Sequence, residues 1–527
     1  GQNQRNADEA HKVEGGNGFL SKKVTTTRDS FSETKANGAY LGAQQLSVDA
    51  GRNVQIQGSE VVAEKGLAQV RAGNDLAIIA SVDSTQVHHE KHSNSRSLGG
   101  FKASKIDDKV NENRTTAVGS LISGDSLDVQ AGRDGLISGS SLVSTAELSV
   151  SAGRDLRVDA AQNTFDRQDS HKEKTRDLTG MVTANRGGLD DITGDLHLSI
   201  GSKSHVGQAK ETTLTGSTIG SSAGDVSLSA GRSLNVIASD LVSTRDMTLT
   251  GSDVTVAAGT ETAQQSSTDT SRSVGVGRVI GGIIVDTYKS IRDDVQAAEN
   301  AEDGRLKAVK YAQAALSTYN ALGFGSTDSA NRSAGRPANS SGSLIKIGTE
   351  LASTRSKSTS DYSSETAKQA TLNSGGTLSM IATGKQEGSR GDIDVTGSSL
   401  KAEQTMLVAK NNILLQSAQN KREWDNDSSD SKVAIGASFN IGSQNGFTLD
   451  LGAQLAKSMG TGSDLTQVNS TLDTGLLVLR SGQDTTLKGA QVRAETLKAD
   501  IGGNLNIASQ QDESTQKNRQ TSGGVGG

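Results

Sequence analysis

The chain has 527 residues, with 61 glycines, one proline, no cysteine, 2% aromatic residues and a formal net charge of −6. So few large rings exclude a globular core filled by aromatic side chains, and the missing cysteines exclude a disulfide-stapled scaffold. The mild acidity, with no basic cluster in the sequence, argues against a nucleic-acid binder. Hydrophobic residues make up 32% of the chain, below a typical globular domain. Stability must then come from stacking similar units, each supported by its neighbours.

Residues 1–43 carry no signal peptide, because GQNQRNADEAHKVEGG has neither a basic start nor an apolar run. Val24–Tyr40 reads as the returning limb of a truncated excursion, so the chain is expected to be a segment of something larger. Residues 44–80 then change to short alternating runs, opening with LSVDAGRNVQIQGS from Leu46. Similar pairs of units occupy 125–161, 225–259 and 476–509, with a degenerate pair at 377–418. The clearest copy is LSVSAGRDLRVDAA, from Leu148 to Ala161. Its alternation places Leu148, Val150 and Ala152, then Leu156, Val158 and Ala160, on one face of extended strands. Gly153-Arg154-Asp155 is the hinge between them. Hinge glycines pair as Gly51 with Gly73, Gly132 with Gly153, Gly231 with Gly251 and Gly482 with Gly502, at spacings of 22, 21, 20 and 20 residues.

A period near twenty, made of short strands and glycine turns, leaves few architectures. Leucine-rich repeats need a fixed Asn or Cys and a helical segment, and propeller blades need about forty residues each. The pattern therefore predicts an all-β fold, a right-handed parallel β-helix with roughly 20–22 residues per coil. Between the coil pairs lie the polar segments 81–124, 162–224, 260–376 and 419–475, and another begins at 510. Their polar alternation predicts long β-hairpins that leave and re-enter the solenoid. Pairing among neighbouring hairpins would build a second sheet on one side.

Two segments depart from this pattern. Within 283–322, Val285, Tyr288, Ile291 and Val295 recur at helical spacing, and Asp303-Gly304 separates two predicted helices. The apolar flank SVGVGRVIGGIIVD, containing Ile283 and Ile284, is a candidate membrane or partner contact, but too short to span a bilayer as a helix. In 432–451, Val433, Ile435, Phe439 and Ile441 alternate, Gln444-Asn445-Gly446 turns, and Phe447, Leu449 and Leu451 alternate back. That apolar face either packs on the solenoid or a neighbouring hairpin, or enters an outer membrane.

The recurring L-x-V-x-A-G-R-[DN]-[LV]-x-[VI]-x-[AG]-S pattern resembles the haemagglutinin repeats of filamentous haemagglutinin, and equally those of the large exoproteins of contact-dependent growth inhibition. TTAVGSLISGD from Thr115 and TTLTGSTIGSSAGD from Thr212 extend the likeness into the intervening segments. The resemblance implies a non-enzymatic segment of a large exoprotein, most like the second haemagglutinin-repeat region, which precedes the toxin and helps carry it across the target outer membrane. A filamentous adhesin stalk that attaches to host cells or matrix is the alternative. By the same resemblance, the partners are an outer-membrane secretion pore during export and then a target-cell outer membrane or surface receptor. The implied location is secreted, at the bacterial cell surface, and a chain threaded unfolded through a pore is helped by having no disulfide.

Catalytic motifs are sparse, and no cofactor or small-molecule substrate is expected. His88, Glu90 and His92 would share one face of a strand, a weak metal-site candidate without H-E-x-x-H spacing. Arg390-Gly391-Asp392 spells a cell-attachment tripeptide, yet Gly-Asp recurs at Gly124-Asp125 and Gly224-Asp225, where it reads as a turn leading into a strand. A polysaccharide-cleaving β-helix needs stacked carboxylates with aromatic platforms, and neither is visible in the repeats.

Overall fold

A computed structural model describes residues 2–16, 20–97, 100–177, 198–279, 345–386, 388–441 and 446–526. Among these residues every regular element is a β-strand, and the strands form three sheets. Two of the sheets, of 17 and 10 strands, are parallel and make the solenoid. Each coil has three short runs, in one case Ser141–Ser144, Leu148–Ala152 and Leu156–Asp159. The first two runs join the 17-stranded sheet and the third joins the 10-stranded sheet, which gains one strand per coil. The 10-stranded sheet follows chain order from Val54–Gln57 to Leu505–Ala508, so the coils stack as a parallel β-helix. The hinge Gly153-Arg154-Asp155 is the corner between the two sheets.

Stacking in register makes the core. Leu148 lies opposite Leu127 and Val226, and Val150 opposite Val129 and Leu228. Leu148, Leu156 and Val158 are fully buried, as are their counterparts in neighbouring coils. An apolar residue at every second position thus meets its equivalents above and below, and no coil is buried without them. One exception is Thr405, which stands in the column between Leu378 and Leu477. Its buried hydroxyl has no hydrogen-bond partner among the described residues.

The hinge glycines have a steric cause. A Cβ on Gly132, Gly153 or Gly231 would lie 2.1–2.2 Å from the carbonyl oxygen of the hinge glycine one coil earlier. At these three corners backbone touches backbone, so only glycine fits there. Register moves one expected hinge: Thr250 pairs with Ser229, so Gly251 sits level with Ala230 and Ser252 takes the glycine's place. The final Ser of the repeat has a role as well. Ser120, Ser140 and Ser217 form a ladder in which each backbone N–H donates to the next hydroxyl, at 3.1–3.3 Å. The hydroxyls in turn donate to carbonyls, as Ser217 does to Asp159 O at 2.6 Å. Buried hydroxyls at this corner are thus satisfied by the stack.

Charge also stacks at the other corner. The Arg133 guanidinium meets Asp75 at 2.6 Å, Arg154 meets Asp134, and Arg232 meets Asp155. These arginine partners hold the three carboxyls below the usual aspartate value.

The polar segments are hairpins, and all of them join one 11-stranded antiparallel sheet. Ser81–Ser97 pairs with Lys102–Val118, which also pairs with Ala161–Asp177 of the next excursion. The same alternation continues through Leu198–Thr215, Gly259–Val279 and Ile345–Lys368 to Ala418–Ile441, Gly446–Val468 and Glu513–Gly526. Excursions therefore bond to one another along ladders nearly as long as those within each hairpin. The structure assigns Tyr40–Ala43, Leu121–Gly124, Thr218–Ser221 and Thr371–Ser374 to the coils as first strands, whereas the sequence reading leaves them in the excursions. Four residues carry too little alternation to announce a strand by themselves. The predicted helices of 283–322, with Ile283 and Ile284, lie outside the described residues, as does the Gln444-Asn445 part of the predicted turn.

One corner holds room for a single methyl group. A Cβ on Gly139 would come within 2.4 Å of Ala161 Cβ, and one on Gly397 within 2.3 Å of Ala418 Cβ. Both glycines have positive φ, +57° and +56°. At the corresponding place between Ala238 and Gly259 the pair is exchanged. Ala238 carries the Cβ despite a φ of 47°, and a Cβ on Gly259 would lie 2.8 Å from it. Gly259→Ala is expected to cost about 1–3 kcal/mol by overpacking. A Cβ on Gly259 would also lie 2.6 Å from Leu214 Cδ1, so Ala238→Gly in the same chain should restore part of that loss, by removing the contact with Ala238 Cβ and the left-handed strain. Thermal unfolding of the two single variants and the double variant checks this; additive losses in the double variant would refute it.

Candidate functional site

The excursion sheet is a single layer whose two faces differ. Residues opposite one another across antiparallel strands share a face. One row across three excursions runs Asn94, Lys105, Lys174, Ser202, Arg272 and Arg355. The next row on the same face runs Lys22, Arg96, Ala103, Arg176, Ile200, Val274, Ser353 and Val433. Lys172 and Lys357 lie two residues to the other side, so one face gathers lysines and arginines from several hairpins. Among the described residues Arg96, Lys174, Arg176, Arg272 and Arg355 have no carboxylate partner, unlike Arg133, Arg154 and Arg232 in the solenoid. Arg96, Lys105, Lys174, Arg176, Arg272 and Arg355 line one shallow trough. Sequence reasoning missed this surface because each excursion contributes only two or three such residues, and only register assembles them.

On the same face, away from the solenoid, the row character turns apolar. Ile200 is 55% exposed, Val274 61%, Leu351 53% and Val433 61%. Strand pairing sets Leu351 opposite Val276 and Ile435, and Ile435 opposite Leu451. Phe439 pairs with Phe447 and Ala437 with Leu449, while Ile441 pairs with Ile345. Ile435, Phe439, Ile441, Phe447, Leu449 and Leu451 thus occupy positions that continue the row positions of Val433. The sequence-predicted hairpin forms the far end of two strands, Ala418–Ile441 and Gly446–Val468, far longer than the apolar segment.

The opposite face is polar and internally paired. His89 bonds Asp29, and His171 bonds Asp108. His205 lies between Asp269 at 2.7 Å and Asp169 at 3.1 Å. Tyr362 lies across from Trp424, whose ring covers Gly462 so closely that a Cβ there would meet the ring at 2.1 Å. Arg422 lies 5.4 Å from the Trp424 ring centroid.

The sequence-predicted metal trio is brought together but engaged otherwise. His88, Glu90 and His92 share a face of Ser81–Ser97. His88 Nδ1 contacts Asn111 Oδ1 at 2.5 Å, and Glu90 meets Lys109 at 2.6 Å. His92 contacts Asp107 at 2.7 Å and Glu90 at 3.1 Å. Among the described residues no group of three His, Asp or Glu side chains is arranged to hold a metal ion. No helix of the described residues is long and apolar enough to cross a membrane.

Arg390-Gly391-Asp392 sits at a solenoid corner. The three backbone N–H groups converge on Asp253 Oδ1, at 3.1, 2.7 and 3.1 Å. Asp392 Oδ1 then accepts Asn412 N and Asn411 Nδ2, both at 2.9 Å. The same bond, from a corner N–H to the Asx side chain one coil earlier, recurs at Asp134, Asp155, Asp484 and Asn504. Asp392 is therefore one rung of a corner ladder, a use that its sequence neighbours do not announce.

Each excursion is also latched to the next at its base. Where the backbone ladder stops, a side chain of the next outgoing strand accepts a returning N–H. The pairs are Ala36 with Asp83, Ala117 with Asn163, Leu214 with Glu261, Ala367 with Asn420 and Gln467 with Asp512, all at 2.7–2.9 Å.

Comparison with known proteins places this architecture. The family model described as Hemagglutinin repeat matches residues 10–95, 101–231, 198–317 and 351–523. A tRNA nuclease CdiA of Escherichia coli strain STEC_O31 is 32% identical over 88% of this chain, which spans 14% of that protein. A Deoxyribonuclease CdiA of Dickeya dadantii strain 3937 is 31% identical over 93% of the chain, again 14% of that protein. A Deoxyribonuclease CdiA of Yersinia pseudotuberculosis serotype O:3 strain YPIII is 32% identical over 60% of the chain and 29% of its own length. No solved structure matches significantly.

The hydrogen bond to Asp107, helped by Glu90, raises His92 above its ordinary pKa of 6.5. A raised histidine stabilises the fold below its unfolded pKa, and the contribution disappears as pH climbs through the folded midpoint. The pairing of Ser81–Ser97 with Lys102–Val118 is therefore expected to be tightest below about pH 6.5. An NMR titration should find the His92 midpoint above that value and moving down in Asp107→Asn. An unmoved midpoint would show that the Asp107 contact does not form in solution.

Proposed function

Because the chain belongs to the hemagglutinin repeat family, we propose that it is a non-enzymatic structural segment of a contact-dependent inhibition exoprotein, helping to carry a toxin across the target outer membrane. The observation that carries this reading is the sustained similarity to CdiA proteins along nearly the whole β-helix and its excursions. The nuclease activities in those names are theirs, and the chain spans a small part of each. On this reading the full exoprotein leaves its cell through an outer-membrane partner, is displayed at the bacterial surface and meets the outer membrane or a surface receptor of a target cell. The excursion sheet favours delivery over a plain stalk, since it builds a second continuous surface along the rod.

The experiment removes the excursions from this segment within a full-length exoprotein, joining the coils by short turns. Delivery predicts that target growth inhibition falls to background while cell-to-cell adhesion and export persist. Lost adhesion, with inhibition retained when contact is forced, would make the segment an adhesin stalk instead.

A further inference from the structure

The solenoid pairs its corner arginines, and the polar face of the excursion sheet pairs its histidines. On the other face Lys105 pairs with Asp107 and Lys109 with Glu90, but five further cations stay open. Arg96, Lys174, Arg176, Arg272 and Arg355 come from three excursions, lie exposed in adjacent rows, and have no acidic partner among the described residues. The net charge of the chain is −6, so this is local segregation rather than general basicity. A set of unpaired guanidinium and ammonium groups spaced by strand separation, about 4.8 Å, suits a dense array of phosphates. On the same face Ile200, Val274 and Val433 continue the row of Arg96 and Arg176, one step farther out than Lys174, Arg272 and Arg355, and Leu351 lies a further step out; all four are exposed apolar side chains. A belt of cations bordering an apolar band is the order in which a bilayer surface presents phosphate and then acyl chain.

We propose that this face docks on a lipid surface bearing anionic phosphate headgroups, with the arginine–lysine rows at the phosphates and the apolar end of the hairpins in the acyl boundary. Phosphate and hydrocarbon are both needed to account for the two bands, which is why a bilayer is favoured over a soluble polyanion. The proposal deepens the delivery reading and rests on it for the target surface. Docking without delivery would keep the former and end the latter.

The test uses the whole 527-residue chain in flotation with three vesicle types: phosphatidylcholine alone, phosphatidylcholine with lipid A, and phosphatidylcholine with dephosphorylated lipid A. Binding is expected only to the vesicles with intact lipid A, whose phosphates are anionic, whereas choline balances the phosphate of phosphatidylcholine, and it should weaken as salt rises. Lys174→Gln, Arg272→Gln and Arg355→Gln together should weaken it roughly a hundredfold, at about fivefold per cation. Val274→Ser with Val433→Ser should also weaken it, whereas Lys23→Gln with Lys203→Gln, on the opposite face, should leave it unchanged. Circular dichroism on each variant separates lost binding from lost fold. Equal binding to all vesicles, an unaffected triple variant, or binding to heparin without binding to vesicles would each overturn the proposal. Vesicle binding with normal fold and no toxin delivery would sink only the delivery reading.

Discussion

The structure depends on one equality of lengths. Strands in any sheet are spaced about 4.8 Å apart, and so are the coils of a parallel β-helix. Each excursion adds two strands to its sheet, and each pair of excursions is separated by two coils. The excursion sheet and the solenoid therefore advance at the same rate along one axis. With one coil per excursion the hairpins would crowd, and with three they would part. With two, the last strand of one hairpin lies at bonding distance from the first strand of the next, as Lys102–Val118 does from Ala161–Asp177. This is how long polar segments that could not fold alone are held.

The corners enforce the spacing. Hinge glycines bring backbone onto backbone, serines and Asx residues bridge each coil to the next, and a single methyl group fits where the chain passes from coil to excursion. Each of these contacts is small. Repeated along the rod, they fix the pitch on which the second sheet relies. The base latches, such as Ala117 N to Asn163, transfer the same register into the excursions.

Much of the solenoid was legible in the sequence, because burial in a stacked core imposes alternation at every second residue. Leu148, Val150, Leu156 and Val158 announce their strands and sit fully inside. The first strand of each coil was not legible: LISG at Leu121 is too short, and its place is set by neighbours. The hairpins were legible as hairpins, but the charged face was not. Lys174, Arg272 and Arg355 are far apart in sequence, and only register across excursions aligns them. Asp392 shows the converse. Its tripeptide suggests recognition, while the corner ladder to Asp253 and Asn412 explains why an Asp stands there.

Inserting one extra coil tests the matched advance of the two sheets most directly. A copy of residues 140–160 placed before Ala161 would lengthen the solenoid by one rung between two excursions. The account predicts that amides bonding Lys102–Val118 to Ala161–Asp177 lose hydrogen-exchange protection while the coil amides stay protected. Full protection of both would contradict it, because the excursions would then be paired independently of the coil count.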